Sequence, residues 1–239
     1  MPLLEGQHVS KSFGGVQALT DVDFAVEAGT VVGLIGPNGA GKTTLFNTVA
    51  GAFKPTAGRI VFDGTDVTGL PANTICRMGM ARTFQVTRPF AGMTCLENVM
   101  VAAINRHPQK PRTFIESFAR EKLGLTGLDA LAATEARHLN VIQKKRLELA
   151  RALATEPKLL MLDEVLGGLN TQEIGQAVEF IRRLRDEAGL TILWIEHVMG
   201  AIMQAAQQVI VLDQGRVLMA GTPTEVVNDP RVIQAYLGE

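Results

Sequence analysis

The chain has only two cysteines, Cys76 and Cys95, and neither stands in a metal-ligand or C-x-x-C spacing. That excludes a disulfide framework and a cysteine-built metal centre. Both are expected as reduced, half-buried thiols of a cytosolic protein. No stretch approaches the roughly 18 apolar residues that a membrane helix needs. The opening MPLLEGQHVSKSF lacks the apolar core of a signal peptide. Work at a membrane would therefore require docking on another protein there. Excess charge is missing too: 23 Lys and Arg face 24 Asp and Glu, a net charge of −1. This balance gives no footprint for nonspecific nucleic-acid binding. There is no N-K-x-D base-reading motif, which argues against a small GTPase. No heptad run, internal repeat or low-complexity tract occurs.

What the chain does have is apolar residues, at 46%, and glycine, 24 of 239. The apolar share supports a packed interior. Glycine stands above its usual roughly 7%, which suits an α/β protein with many tight turns. The most informative stretch is GPNGAGKTT, residues 36–44. TVVGLIG before it reads as a buried strand, and KTTLFNTVAG after it as a helix ended by Gly51. Strand, glycine-rich loop and helix are the setting that makes G-x-x-x-x-G-K-[ST] a phosphate-binding P-loop. Gly36, Gly39 and Gly41 allow a tight turn and close approach to phosphate oxygens. N–H groups of the loop and helix start point at the anion. Lys42 adds a point charge for the terminal phosphates, and the Thr43 hydroxyl suits Mg²⁺.

Residues 3–35 read as strands and turns, with EAG at 27–29 as a hairpin signal. GRIVFDGTDV, 58–67, reads as a further strand and turn. From about 86 to 150 the pattern is helical and more polar, broken by the proline-rich HPQKPR at 107–112. After 157, strands KLLMLD, LTILWIE and QQVIVLD alternate with helices, implying a mainly parallel, covered sheet. The expected build is one α/β nucleotide-binding core in two pieces, 1–85 and 151–239, with a helical subdomain, 86–150, inserted between them.

Beyond the loop, Asp163 and Glu164 end a buried strand. Downstream of a P-loop, the first suits Mg²⁺ and the second suits orienting and activating water against the γ-phosphate. His197 follows another strand end, where ligands of open α/β sheets sit; it could hydrogen-bond the γ-phosphate. Gln85, in ARTFQ, ends a strand leading into the lobe. Its amide could reach Mg²⁺ or the attacking water, and the position suits a hinge. The stretch RPFAGMTCLENVMVAAI offers Phe90, Met93, Leu96 and Met100 as an adaptable apolar surface.

The P-loop, ARTFQ, LLMLDE, GGLN and IEH, in that order and spacing, resemble the ATP-binding subunits of ABC transporters. Likeness extends over nearly the whole chain. It is strongest to one of the two ATPase subunits of branched-chain amino-acid importers, through FGGVQAL, ARTFQVTRPFAGMTCLENV, KKRLELARALATEPKLLMLDE, WIEHVM and the terminal AYLGE. The resemblance implies a P-loop NTPase core of the ABC type, a mixed sheet with flanking helices. It implies an ATPase using ATP and Mg²⁺. Phe13 would stack on adenine, and Gly36, Pro37, Asn38, Gly39, Ala40, Gly41, Lys42, Thr43 and Thr44 would form the Walker A loop. Gln85 would be the Q-loop, Asp163 and Glu164 Walker B, His197 the switch histidine, and Gly167, Gly168, Leu169 and Asn170 the D-loop.

The implied partners are a second ABC ATPase subunit, membrane permease subunits and, indirectly, an extracytoplasmic solute-binding protein, with no nucleic acid. The implied location is the cytoplasmic face of the inner membrane, as a peripheral subunit. In the family each ATP lies between one P-loop and the partner's Leu-Ser-Gly-Gly-Gln signature. The matching residues here are Leu139, Asn140, Val141, Ile142 and Gln143. Asn140 replaces a compact hydroxyl donor, and Ile142 replaces a glycine that permits close backbone approach. The basic start of the following helix, Lys144–Arg146, opposes the helix dipole, either as a solvated face or opposite phosphate. Weak hydrolysis by an ATP-dependent clamp, or a soluble non-transport ABC ATPase, are the competing readings.

Overall fold

The computed structural model describes residues 1–237. Gly238 and Glu239 of the AYLGE stretch lie outside the described residues. The first half runs β1 (Leu4–Phe13), β2 (Val16–Val26), β3 (Val31–Ile35), α1 (Lys42–Val49), β4 (Ala57–Phe62), β5 (Thr65–Asp66), α2 (Ala72–Arg77) and β6 (Met80–Arg82). Three helices follow: α3 (Cys95–Arg106), α4 (Arg112–Leu125) and α5 (Val141–Leu153). The chain then alternates through β7 (Leu159–Asp163), α6 (Thr171–Ala188), β8 (Thr191–Ile195), α7 (Met199–Ala205), β9 (Gln208–Asp213), β10 (Arg216–Gly221), α8 (Pro223–Asn228) and α9 (Pro230–Leu237).

Two sheets result. One has the order β10-β9-β3-β8-β7-β6, parallel throughout except for the β9–β10 pair. Its central strand β3 is buried at every residue, as expected of a strand covered on both faces. The second is antiparallel, in the order β2-β1-β4-β5. The expected EAG hairpin is therefore not formed. Residues 27–29 carry the chain from β2 in one sheet to β3 in the other, a crossing that local turn chemistry does not distinguish from a hairpin.

The period-2 alternation of β3 sorts its side chains between two cores. Val32 and Leu34 join Leu45 and Phe46 of α1 and the inner face of the antiparallel sheet. Val31 and Ile35 join Val178 and Ile181 of α6 and Ile202 of α7. Gly33 is a close-approach position, since a Cβ there would meet Ile202 Cγ2 at 2.5 Å.

The helical segment has a third core, including Cys95, Val99, Leu123, Leu128 and Leu147. Helix α5 runs through position 150: Leu147 and Ala150 face this core, whereas Ala152 and Leu153 pack with the parallel sheet. Capping boxes start α3 (Thr94 with Glu97), α5 (Asn140 with Gln143) and α6 (Asn170 with Glu173). Pro111 ends the loop before α4.

The link from β6 into α3 is fastened by Asn98, which is fully buried. Its oxygen accepts from Phe90 N at 2.8 Å, and its amide nitrogen donates to the carbonyls of Phe90, Met93 and Thr94 at 3.0–3.2 Å. Truncation would strand buried backbone groups. Asn98→Ala is expected to lower stability by about 2–3 kcal/mol in urea unfolding; an unchanged midpoint would show that the link is held by other contacts.

Candidate functional site

The carboxyl ends of β3, β7 and β8 meet at an open cleft of ≈ 430 Å³. Its walls include Asn38–Thr44 of the loop, Glu164 after β7, His197 after β8, and Val16–Ala18 of β2. The loop is shaped by glycine and by its neighbours. Gly36 has φ 150, and a Cβ there would sit 2.1 Å from the Leu212 carbonyl oxygen. From the β9–β10 turn, Gly215 N donates to Ala40 O at 3.0 Å. Sequence reasoning missed this clamp, although DQGR between two apolar runs carries a turn signal.

Helix α1 begins at Lys42, so its first-turn N–H groups face the cleft without intrahelical acceptors. Lys42 is 7% exposed as a residue, and its ammonium donates to the carbonyls of Gly36 (2.7 Å) and Pro37 (2.9 Å). Burial pushes its pKa down, while the Glu164 carboxylate pulls the other way. Thr43 is exposed in the cleft and Thr44 half-buried.

Glu164 gathers three separate segments. Gln85 Nε2 donates to its Oε2 at 2.7 Å, and His197 Nε2 lies 2.7 Å from its Oε1. Glu164 itself has φ 50, a left-handed backbone that glutamate seldom adopts. His197 is steadied from behind by Glu196, which is 3% exposed and accepts from His197 N (3.2 Å) and Leu166 N (2.7 Å). Burial raises the Glu196 carboxyl pKa.

Asp163 lies deeper, 4% exposed, and pairs with Arg82 Nη2 at 3.1 Å. Arg82 also donates to Asn47 Oδ1 at 2.7 Å and lies over the Phe84 ring at 4.7 Å. Burial pushes Asp163 upward and Arg82 pulls it down. Arg82 was not singled out from sequence; the only local signal was its place in ARTFQ. Gln85 follows three residues after β6 in a loop, rather than at the strand end itself.

The remaining expected residues lie outside the cleft walls. Phe13 ends β1 opposite Val16 and stands 43% exposed, edge-on to Phe53 at 5.2 Å with Lys11 Nζ 4.9 Å from its ring. None of Leu139–Gln143 lines the cleft. Leu139 is buried in the helical core, Asn140 caps α5, and Val141 is 66% exposed. Ile142 and Gln143 are half-buried. Gly167 and Gly168 are exposed, Leu169 is half-buried, and Asn170 caps α6. Within the basic start of α5, Lys145 is not a solvated charge. Its Nζ donates to the carbonyls of Glu164 (3.2 Å), Val165 (3.4 Å) and Gly167 (2.8 Å). Both thiols are free, Cys95 buried and Cys76 half-buried.

A second groove, ≈ 370 Å³, opens between α2, β6, α3 and α5. Arg82, Phe84, Arg88, Val101, Glu148 and Arg151 are among its walls. The expected Phe90, Met93, Leu96 and Met100 do not line it. Leu96 and Met100 turn onto the helical core, Phe90 lies under Arg151 (4.9 Å), and Met93 is 38% exposed. Glu148 is 7% exposed and accepts from Phe84 N at 3.0 Å. Burial pushes its carboxyl up to about 7 from 4.5, against the Phe84 hydrogen bond and the charges of Arg151 and Arg82.

As chemistry, the cleft offers a cation and helix N–H groups suited to phosphate, the Glu164 carboxylate and an oxygen donor at Thr43; Gln85 reaches it through Glu164, and Asp163 lies buried on Arg82 behind its wall. The family described as ABC transporter matches residues 19–167, and that described as branched-chain amino acid ATP-binding cassette transporter matches residues 216–239. The chain is 41% identical to the high-affinity branched-chain amino acid transport ATP-binding protein BraF of Pseudomonas aeruginosa, over all of this chain and 98% of that protein. It is 40% identical to LivG of Escherichia coli, described in the same words, with the same coverage. Among solved structures, it superposes on an ABC transporter ATP-binding cassette in its ADP conformation with TM-score 0.88 and 30% identity, both chains fully covered. A nucleotide-free cassette gives TM-score 0.87 and 30% identity, again with both chains fully covered.

The raised Glu148 carboxyl makes stability depend on pH. Between about 4.5 and about 7 the folded chain binds more protons at this group than the unfolded chain, so its contribution weakens as pH rises through that window. Glu148→Gln removes the dependence. The variant is expected to match the parent at pH 5 and to exceed it by roughly 1–3 kcal/mol at pH 8 in urea unfolding. Equal stability at both pH values would mean that the carboxylate is not strained by burial.

Proposed function

The chain belongs to the ABC transporter family of ATP-binding cassettes, and on that footing we propose that it is the ATP-hydrolysing subunit of a branched-chain amino-acid importer. The observation that carries this reading is the convergence of Lys42, Thr43, Glu164 and His197 on one cleft, with Gln85 joining Glu164 from the link into the helical segment. Names of the relatives supply the solute class; the fold supports the nucleotide.

Lys42 and the first turn of α1 would hold the β- and γ-phosphates, with Gly36–Thr44 as the cradle. Phe13, at the mouth beside Val16, would stack on the adenine. Hard oxygen donors at Thr43, Gln85 and Asp163 fit Mg²⁺, which when bound would neutralise phosphate charge. Glu164 would take a proton from the attacking water, and His197 would hydrogen-bond the γ-phosphate. Arg82 holds the Asp163 carboxylate, and Asp163 N donates to Thr83 Oγ1, which fixes the backbone at the same point.

Hydrolysis would be read out mechanically. Gln85 touches Glu164 at one end of a linker that continues past the groove into α3. We assign residues 86–150 to a subdomain that turns on this linker and the groove to a short cytoplasmic helix of a permease. Among the described residues no helix is long and apolar enough to cross a membrane, so such a role requires that docking. A second ATPase subunit would present its own signature to this cleft, and Leu139–Gln143 would face the partner's nucleotide.

Steady-state ATPase activity tests the reading. The purified chain, with or without a companion ATPase subunit, is expected to turn over ATP, and Glu164→Gln is expected to bind ATP and abolish turnover, a loss of at least about 100-fold. Turnover that survives Glu164→Gln would overturn the assignment. The signature has its own expected outcome. Asn140→Ser together with Ile142→Gly should raise turnover, because a glycine restores close backbone approach; an unchanged rate would count against any weakness in this signature.

A further inference from the structure

The turn after β7, residues 164–170, is held by two different parts of the chain. Two of its N–H groups are taken by the end of β8. Glu164 N donates to Ile195 O at 3.0 Å, and Leu166 N donates to the buried Glu196 carboxylate at 2.7 Å. Three of its carbonyls are taken by the helical segment. Lys145 Nζ, from the second turn of α5, donates to Gly167 O at 2.8 Å, Glu164 O at 3.2 Å and Val165 O at 3.4 Å. Side chains do not fill the space between α5 and this turn. Ile142, Lys145, Leu149, Val165, Leu166 and Leu169 line a cavity of ≈ 260 Å³ shared with α6. The Lys145 hydrogen bonds are the polar tie beside that cavity.

Glu164 needs such a hold. Its φ of 50 lies in the left-handed region, which a residue with a Cβ occupies only when its surroundings enforce it. Peptide units are planar, so a hydrogen bond to N fixes one plane of the residue and a hydrogen bond to O fixes the other. The two planes set φ and ψ together, and with them the direction of the Cα–Cβ bond. Ile195 O supplies the first hold and Lys145 the second. The contacts of the carboxylate with Gln85 and His197 act only beyond Cβ.

We infer that Lys145 is a positioning residue for Glu164: by holding the carbonyls of this turn it keeps the left-handed backbone in place and sets where the carboxylate stands in the cleft. This rests on the reading of Glu164 as the group that takes the proton from water. Lys145 needs no contact with the nucleotide to act. Because it stands on α5, it gives the helical segment a backbone hold on Glu164, separate from the side-chain contact through Gln85.

The test is a split between turnover and binding. ATPase activity is measured on the full chain, paired with its companion ATPase subunit where the chain alone is inactive, and expressed per ATP-binding site. Nucleotide affinity is read from N-methylanthraniloyl-ATP fluorescence in the presence of Mg²⁺. Lys145→Met removes the donor at nearly constant length. It is expected to lower kcat about ten- to a hundredfold with nucleotide affinity unchanged. Lys145→Arg, which keeps a charged donor, should return most of the activity. Lys145→Gln, too short to span the three carbonyls, should show the same loss as Lys145→Met, and it decides the question if Lys145→Met does not fold. A merely structural role would lower thermal stability and the number of ATP-binding sites, leaving kcat per site at the parent value. Parent kcat per site in the folded variant, or an equal loss in Lys145→Arg, overturns this inference alone when turnover depends on Glu164. Turnover that survives Glu164→Gln overturns the reading of Glu164 on which it rests.

Discussion

The structure turns on the Glu164 carboxylate, one oxygen of which meets Gln85 and the other His197, each at 2.7 Å. These contacts join positions 79 and 33 residues apart in the chain. The group best placed to polarise a water is thus also the point where the helical segment's linker and the end of β8 sense each other. A carboxylate with both oxygens engaged is oriented, and an oriented base removes part of the entropy barrier to proton transfer. On the proposed reading, a ligand that reorganises the two hydrogen bonds would change catalysis and linker position together.

Around this point the fold supplies rigidity of two kinds. Apolar strands β3, β7 and β8 are buried at every residue, so their carboxyl ends are fixed by packing on both faces. The ends themselves are fixed by buried polar pairs: Arg82 on Asp163, Glu196 on Leu166 N and His197 N, and Lys145 on three carbonyls of the turn after β7. Buried pairs of this kind contribute little net stability but are costly to break singly. Here they specify where the functional groups stand. Lys145 also ties the start of α5 to the segment after Glu164. The helical segment therefore touches the turn after β7 through α5 as well as through Gln85.

Much of this was legible in the sequence because it is local. Glycine spacing and Lys42 define the loop, unbroken apolar runs define the parallel strands, and Asn170 and Gly189 bound α6. The placing of Glu164 and His197 in one cleft followed from strand ends in such a sheet. What was not legible depends on long-range partners. EAG reads the same whether its flanking strands pair or part into two sheets. Arg82 sits one turn of thought away from Gln85 in ARTFQ, yet its partner Asp163 is 81 residues distant. Lys145 read as a dipole conflict until its carbonyl acceptors were known. Leu96 and Met100 carried the apolar surface expected of a groove, but the helical core takes them, and the groove is lined instead by Phe84, Val101 and several alanines together with Arg82, Arg88, Glu148 and Arg151.

The most direct measurement is a crystal structure of the chain with Mg²⁺ and a non-hydrolysable ATP analogue. The account requires Lys42 Nζ to leave the carbonyls of Gly36 and Pro37 for the phosphates, and the Gln85 and His197 contacts to Glu164 to rearrange around the γ-phosphate. An analogue bound elsewhere, or one bound in the cleft with Lys42 and both Glu164 hydrogen bonds unchanged, would contradict it.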